Sequence, residues 1–399
     1  MMGNWKTCTI GDLGTVVGGA TPSTKKTENY DDGTISWITP KDLAGFSGRF
    51  ISRGERNITE QGLKSCSTQL MPAHTVLFSS RAPIGYIAIA NQEVCTNQGF
   101  KSVVPNEDTD YMFLYYLLKY NKDKIENLGS GTTFKEVSGS TMRGIEVSVP
   151  ETIEEQRQIA SVLSALDDKI EKNTEVNENL EEQLSALFIH DFADDIATAS
   201  TDTCPMLGDL ITVIDNRGKT PPLTTEIFDY PIIDVGALKG SGRIVDFNNC
   251  TKYVEQATYE SWFRSGHPKP WDILISTVGS LAEMKIYLGS KGCMAQNVVA
   301  LRATSISPLY LYQYLRFIRA DLVAYNIGSV QPSIKVTHIV KHPIFVPEIS
   351  KLQEFEETAR AITNRLYANY NECESLKELR DTLLPRLMSG EIDVSDLAL

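Results

Sequence analysis

The same sequence pattern occurs twice in the chain, about 197 positions apart. The first copy covers residues near 11 to 190, and the second covers residues near 208 to 390. Segments recur in the same order: Gly11-Asp12-Leu13 with Gly208-Asp209-Leu210, Val76-Leu77-Phe78-Ser79-Ser80 with Ile273-Leu274-Ile275-Ser276-Thr277, and Cys95-Thr96-Asn97-Gln98 with Cys293-Met294-Ala295-Gln296-Asn297. Because solenoid units have only about 20–50 residues, this period predicts two homologous domains, each followed by a helix.

Composition fits a soluble protein of two domains. The 399 residues, 42% hydrophobic and 22% charged, suffice for two cores. No apolar run approaches the roughly 18 residues of a membrane span, and the start of the chain lacks the apolar run of a signal peptide. The seven cysteines form no CxxC pair, which favours reduced thiols and a cytoplasmic location over disulfides or a zinc site.

The net charge of −13 is unevenly distributed. Residues 1–150 have 15 basic and 15 acidic side chains, and residues 206–347 have 14 and 11. Residues 151–205 have 3 basic and 14 acidic side chains, and residues 348–399 have 6 and 11. The acidic segments are therefore expected to face solvent or a protein partner, whereas the other two segments permit contact with phosphates.

Both acidic segments have the 3–4 spacing of a coiled-coil seam. The seam of the first comprises Ile159, Leu163, Leu166, Ile170, Asn173, Asn177, Leu180, Leu184 and Leu187. The seam of the second comprises Leu352, Phe355, Ala359, Ile362, Leu366, Asn369, Cys373, Leu376, Arg380, Leu383 and Leu387. Either each helix packs on its own domain, or the two pair antiparallel as a spacer about 54 Å long. The matching asparagines favour the pair, because a buried asparagine fixes register.

Local signals predict where these helices begin and end. Thr152 with Glu155, and Ser350 with Gln353, have the spacing of capping boxes. Gly390 is predicted to end the second helix.

The remaining sequence indicates an α+β class, with mixed or antiparallel sheets and few helices. Short β-rich runs at 35–38, 76–78, 86–89 and 145–149 are separated by turn residues. One aromatic-rich helix is predicted in each domain, at 110–120 and at 308–320. We interpret their aromatic side chains as core.

Polar loop residues at corresponding places in the two copies are candidates for contacting DNA, because Arg and Lys suit guanine and phosphate, whereas Asn and Gln suit adenine. The candidates are Thr21, Lys25, Lys41, Arg81, Asn97, Gln98, Lys135, Arg217, Lys219, Lys239, Gln296, Asn297, Gln331 and Lys335. The recurrence of Asn97-Gln98 and Gln296-Asn297 also fits a shared requirement of the fold. The loops that do not match, 41–56 against 239–252, are predicted to carry more of the specificity.

Several catalytic motifs are missing from the sequence. There is no Asn/Asp-Pro-Pro-aromatic methyltransferase motif, since Leu223 follows Pro221-Pro222, and no phosphate loop or dinucleotide-binding fingerprint. His338 and His342 are four positions apart, but no Glu follows His338 as in a metalloprotease. We interpret both as strand or loop residues. The sequence favours a recognition module that depends on the catalysis of a partner.

The chain resembles the specificity subunit of Type I restriction-modification systems over essentially its whole length. The resemblance rests on Gly11-Asp12-Leu13 and its repeat, Val76-Leu77-Phe78-Ser79-Ser80-Arg81, Thr96-Asn97-Gln98-Gly99-Phe100, Val149-Pro150 with Glu155-Gln156-Arg157-Gln158-Ile159-Ala160, and Leu384-Pro385-Arg386-Leu387-Met388-Ser389-Gly390-Glu391-Ile392. The second copy departs from the pattern where Leu352-Gln353-Glu354-Phe355 replaces Glu-Gln-x-x-Ile.

The resemblance implies two target-recognition domains separated by a pair of long antiparallel helices. The domains would be 1–150 and 205–347, the helices 151–190 and 348–390, and the tail 391–399. Each domain would read one half of an asymmetric bipartite site in double-stranded DNA, and the helices would set the spacer between the halves. Two modification subunits, which bind S-adenosylmethionine, and restriction subunits, which use ATP and Mg, would join a chain that itself binds no cofactor.

Three alternatives stay open at this point. A solitary DNA-binding or inhibitory protein without a methylase partner would fail to co-purify with a modification subunit. A fused restriction-methylation enzyme would need the motifs that are missing. A scaffold unrelated to DNA is the third alternative.

An insertion of about one heptad within 159–187 should lengthen the DNA spacer and leave both half-sites unchanged, because the helices act as the ruler. Sequencing of methylated sites in a host that expresses the variant measures both properties. An unchanged spacer would show that the helices do not set it.

Overall fold

The computed structural model describes residues 5–81, 83–131 and 135–394. The chain divides into two compact units. The first contains the residues up to Glu171 and those from Cys373 onward, and the second contains Lys172–Glu372. Each unit therefore combines one globular domain with parts of two long helices.

The first unit is built on mixed sheets. Its strands are β1 (Trp5–Thr9), β2 (Gly14–Gly18), β3 (Ile35–Ile38), β4 (Phe50–Ile51), β5 (Arg56–Ile58), β6 (Val76–Ser80), β7 (Ile84–Ala90), β8 (Cys95–Thr96), β9 (Lys101–Pro105) and β10 (Glu146–Pro150). They form the sheets β2-β9-β6-β7-β4, β5-β3-β8 and β1-β10. Pairing is antiparallel except for β4 with β7 and β3 with β8.

Helices connect these strands and continue into the long helix. They are α1 (Ile10–Leu13), α2 (Glu60–Lys64), α3 (Tyr111–Tyr120), α4 (Lys122–Asn127), α5 (Gly139–Arg143) and α6 (Ile153–Thr198), with 3₁₀ turns at Thr27–Asn29 and Pro40–Leu43. One core joins α3 to the sheet and to Ile159 and Leu163 of α6. The predicted seam of α6 thus begins as part of the first domain's core.

The second unit repeats this plan with fewer strands. Its elements are α7 (Leu207–Leu210), β11 (Ile211–Ile214), β12 (Tyr230–Ile233), α8 (Val235–Leu238), β13 (Tyr253–Val254), α9 (Gln256–Trp262), β14 (Ile273–Ser276), β15 (Met284–Ile286), β16 (Cys293–Met294), β17 (Val298–Ala303), α10 (Pro308–Phe317), α11 (Arg319–Ala324), α12 (Val336–Val340) and α13 (Ile349–Met388), with a 3₁₀ turn at Phe247–Asn249. Its sheets are β11-β17-β14-β15 and β13-β12-β16. Its core includes Leu184, Phe188 and Phe192 of α6 with Phe355 of α13.

The α+β class, the mixed sheets and the two long helices are confirmed. The aromatic-rich helices predicted at 110–120 and 308–320 are α3 and α10, and most of their aromatic side chains are buried. The prediction of one helix per domain was too low, because short helices such as α4 and α11 follow directly. The boundaries proposed for the domains remain predictions.

Of the signals predicted at the helix ends, those at Thr152 and Gly390 agree with the structure and the one at Ser350 does not. The Glu155 backbone N–H donates to Thr152 Oγ1 at 3.3 Å, as a cap requires. The predicted capping box at Ser350 is wrong, since α13 already begins at Ile349 and the Leu352 N–H donates to the Glu348 carbonyl. Gly390 follows the end of α13 at φ +74°, a conformation that favours glycine.

Asparagines join the two long helices inside the second unit. Asn369 Nδ2 donates to Asn177 Oδ1 at 2.8 Å, and Asn173 Nδ2 donates to Glu372 Oε2 at 2.8 Å. Farther along, Lys351 Nζ donates to Asp195 at 2.7 Å. As the residue number increases along α6, the residue that it contacts on α13 has a lower number, so the helices run antiparallel here.

The same direction holds inside the first unit. Cys373 Sγ lies 3.7 Å from the Ile170 carbonyl, and Arg380 Nη1 donates to Asp167 at 2.7 Å. Both alternatives for the helices therefore hold, because the seams pack on the domains and also on each other.

The seam is only partly enclosed. The buried positions include Ile159, Leu163, Asn173, Leu184, Phe355, Leu366 and Asn369, and the half-buried ones include Leu166, Ile170, Leu180, Leu352, Ile362, Leu376 and Leu383.

The Asn177→Leu substitution should destabilise the second unit by about 1–3 kcal/mol, because it leaves the buried Asn369 amide without its acceptor. The double variant Asn177→Leu/Asn369→Leu should lose less, since neither helix then buries an unsatisfied amide. Denaturant unfolding of the wild type, Asn177→Leu, Asn369→Leu and the double variant measures this coupling. If the double variant loses as much free energy of unfolding as the two single variants together, the amide contact contributes nothing.

Candidate nucleic-acid interface

A threonine–glutamine contact occurs in both domains at matching places. Thr21 Oγ1 donates to Gln98 Oε1 in the first, and Gln296 Nε2 donates to Thr220 Oγ1 at 2.6 Å in the second. Each contact ties the loop after the first strand of the main sheet to the loop after β8 or β16. Thr21, Gln98 and Gln296 are exposed, so the contact holds two surface loops together.

The asparagines next to these glutamines do not match each other. Asn97 Oδ1 accepts the Gly99 N–H at 2.8 Å and shapes its own turn. The Ser80 N–H donates to the Gly99 carbonyl, and the Thr277 N–H donates to the Asn297 carbonyl. Asn297 therefore corresponds to Gly99, and only the glutamine recurs in register.

Three predicted residues line one cleft of the first domain. Lys41, Arg81 and Asn97 surround it together with Thr39, Pro40, Gly99 and Glu136. Lys41 Nζ lies 2.6 Å from Glu55, and this hydrogen bond raises the pKa of Lys41. Arg81 Nη1 and Lys101 Nζ lie 3.7 and 3.3 Å from Glu136. A phosphate could take the place of Glu55 or Glu136 as the partner of these cations.

The second domain has a cleft of different composition. It is lined by Asp215, Asn216, Arg217, Gly218, Lys219, Ser261, Trp262, Arg264 and Ser265. Arg217 Nε and Nη2 donate to Asp215 at 2.8–3.0 and 2.6 Å. Burial favours the protonated carboxyl, but the hydrogen bonds from Arg217 lower the pKa of Asp215. These two charges therefore neutralise each other.

The other cations of this cleft are available to a ligand. Lys219 and Arg264 are exposed, and neither makes an ion pair with any residue that the structure describes. Trp262 beside them is 36% exposed. Exposed cations at this place suit a phosphate backbone.

Equivalent positions around the clefts carry different side chains. Arg81 faces Glu136 in an isolated bridge, and the matching bridge of the second domain joins Val278 to Ser333. The strand registers also place Val299 where the first domain has Lys101. The two domains thus share a frame but differ in charge on this face.

The other predicted residues lie elsewhere on the surface. Lys25, Lys135, Lys239, Gln331 and Lys335 are exposed and line neither cleft. Thr132, Thr133 and Phe134 of the loop ending at Lys135 lie outside the described residues.

The interpretation of His338 as a strand or loop residue is wrong, because it lies in helix α12. His342 follows that helix in a turn, and its Nδ1 lies 2.9 Å from the Tyr325 hydroxyl. The spacing of four residues therefore marks a helix and its end rather than a strand.

Sequence reasoning missed Trp262 and Arg264, and also Lys101 and Glu136. In the run Ser261-Trp262-Phe263-Arg264, the structure buries Phe263 and leaves its neighbours exposed. Nothing in the sequence placed that run beside residues 215–219, because more than 40 positions separate them.

Comparisons with known proteins agree with this architecture. Residues 2–182 match the family model described as Type I restriction modification DNA specificity domain. The Type I restriction enzyme MjaIX specificity subunit of Methanocaldococcus jannaschii is 33% identical over 99% of this chain and 95% of its own length. The EcoR124I/EcoR124II specificity subunit of Escherichia coli is 29% identical over 41% of this chain and 40% of its own length.

A solved structure has the same fold. The Type-I restriction-modification S subunit from M. genitalium superposes with a TM-score of 0.57 at 18% identity, and the match covers 96% of each chain. In the described part of the chain, no helix combines the length and the apolar character of a membrane span.

Arg264→Ala should weaken binding of DNA several-fold across sequences and reduce the salt dependence by about one counterion, because a phosphate contact is lost. Lys291→Ala is the matched control, since that exposed cation already pairs with Asp229 at 2.7 Å. Titrations at several salt concentrations measure both quantities. Equal losses in the two variants would argue against a DNA contact at this cleft.

Proposed function

Because the chain belongs to the family of Type I restriction enzyme specificity subunits, we propose that it directs a restriction-modification complex to a bipartite site in double-stranded DNA. The first domain would read one half of the site and the second domain would read the other. The paired parts of α6 and α13 would set the spacer between the halves.

The observation that carries this proposal is the duplicated frame with unlike clefts. Both domains hold their loops with the same threonine–glutamine contact, yet Arg81 and Lys101 are replaced by Val278 and Val299. Direct readout depends on the donors and acceptors that a protein presents to the base edges. Two domains with unlike clefts therefore suit two unlike half-sites.

Partners and catalysis belong to the same proposal. Two modification subunits would dock on the helices and domains, and restriction subunits would join them. Acidic residues on the exposed faces of the helices, such as Glu154, Glu178 and Glu182, support a protein-facing role, because they would repel phosphates. S-adenosylmethionine, ATP and Mg would act in the partner subunits, this chain would perform no chemistry, and the complex would work in the cytoplasm.

Exchange of residues 11–150 for the first domain of another specificity subunit should change only one half of the methylated site. The second half and the spacer should persist, because they depend on the second domain and on the helices. Methylation-site sequencing of a host that carries the complex measures all three features. Changes in both halves would show that the two domains do not read their halves independently.

Co-purification provides the complementary test. A tagged full-length chain expressed with a modification subunit should yield a stable complex that methylates DNA. A chain that binds DNA yet captures no modification subunit would instead support the solitary DNA-binding protein.

A further inference from the structure

A Ser-Gly-Arg tripeptide occurs in both domains, as Ser47-Gly48-Arg49 and Ser241-Gly242-Arg243. It lies within 41–56 and 239–252, the loops that were predicted to carry more of the specificity, so these loops do share one element. Both arginine side chains are buried, with residue exposures of 5% and 1%. An arginine is rarely buried unless it is paired, so its partners indicate what the tripeptide does.

In the first unit, Arg49 binds helix α6. Its Nε and Nη2 donate to the two carboxylate oxygens of Glu171 at 2.9 Å each, and its backbone N–H reaches Glu171 Oε1 at 3.2 Å. Nη2 also donates to Asp168. The Arg49 carbonyl accepts the N–H of Ile89 in β7 at 2.7 Å. One residue thus connects the sheet to the helix.

In the second unit, Arg243 pairs in the same forked way with a different glutamate of α6. Its backbone N–H, Nε and Nη2 donate to Glu181 of α6 at 2.8, 2.9 and 2.8 Å, and Nη1 donates to Thr363 Oγ1 of α13 at 3.0 Å. Its carbonyl accepts the N–H of Ile286 in β15. Lys285 donates to the Gly240 and Gly242 carbonyls and holds the loop in place.

We call Arg49 with Glu171, and Arg243 with Glu181, the arginine anchors. We propose that the anchors are positioning elements that fix each recognition domain on α6. In this way they would determine which DNA spacer length the complex accepts, an inference that rests on the proposed function. A guanidinium fork on a carboxylate constrains direction as well as distance. The backbone N–H on the same carboxylate adds another point of attachment.

Apolar packing alone would hold each domain less specifically. Side chains such as Leu184 and Phe188 supply cohesion, but dispersion and the hydrophobic effect are not directional. A buried ion pair adds little net stability relative to apolar residues, although it can specify one arrangement. The anchors should therefore influence the selectivity for spacer length more than the affinity for a half-site.

The test uses the full-length chain in complex with modification subunits. The cognate site is mapped first by methylation sequencing, and methylation rates are then measured on duplexes whose spacer is cognate, one base pair longer or one base pair shorter. Arg243→Gln and Arg49→Gln should each raise the ratio of off-spacer to cognate methylation at least tenfold, with both half-sites unchanged.

Arg302→Gln is the matched control. Arg302 also forms a forked pair, with Asp272 at 2.9 and 2.6 Å, but this pair lies within the second domain, and among the described residues it has no hydrogen bond to either long helix. Its loss should destabilise that domain and leave the spacer ratio as in the wild type. An equal rise in this control would mean that destabilisation alone relaxes the spacer, which would overturn the proposal.

Glu171→Gln keeps the inference testable if the arginine variants fail to fold. It retains the shape of the side chain and leaves Asp168 as a charged partner of Arg49. A folded Glu171→Gln complex should raise the spacer ratio about threefold, and an unchanged ratio would overturn the anchors' role. A wild-type complex that methylates no bipartite site would instead refute the proposed function.

Discussion

The pairing of acidic residues on α6 with arginines is the interaction on which both units depend. Glu171 accepts from Arg49, Glu181 accepts from Arg243 and Arg316, and Asp167 accepts from Arg380. Asp167 and Glu181 are buried, and a buried charge without a partner costs several kcal/mol, roughly 3–5 when one member of a pair is removed. The acidity of this helix therefore serves the protein's own interior as well as its surface.

This arrangement separates what the two domains share from what distinguishes them. The buried Arg49 and Arg243, the threonine–glutamine contacts and the aromatic helices α3 and α10 occur at corresponding places in the two domains. The clefts differ in charge. In the first domain Arg81 is paired with Glu136, whereas in the second domain Lys219, Trp262 and Arg264 are exposed. A common frame with different cleft residues suits the two unlike half-sites that we propose.

Local and periodic features were predictable from the sequence. The seams of α6 and α13, the cap at Thr152, the stop at Gly390 and the strands around residues 76–78 depend on neighbours within a few positions. The misplaced start of α13 shows the limit of such signals, because Ser350 has the spacing of a cap but the helix had already begun at Ile349. His338 is a similar case, since a single turn of helix leaves little periodicity to detect.

The sequence by itself determined the duplication, the fold class, the two long helices and the family, because these depend on repetition, periodicity and motifs. Only the tertiary structure decided which carboxylates receive Arg49 and Arg243, and that residues 261–265 join residues 215–219 in one cleft. Contacts between residues far apart in the chain depend on how sheets and helices pack. Composition and spacing do not record that packing, so a buried arginine that pairs with a long helix and an exposed arginine of a cleft look alike in the sequence.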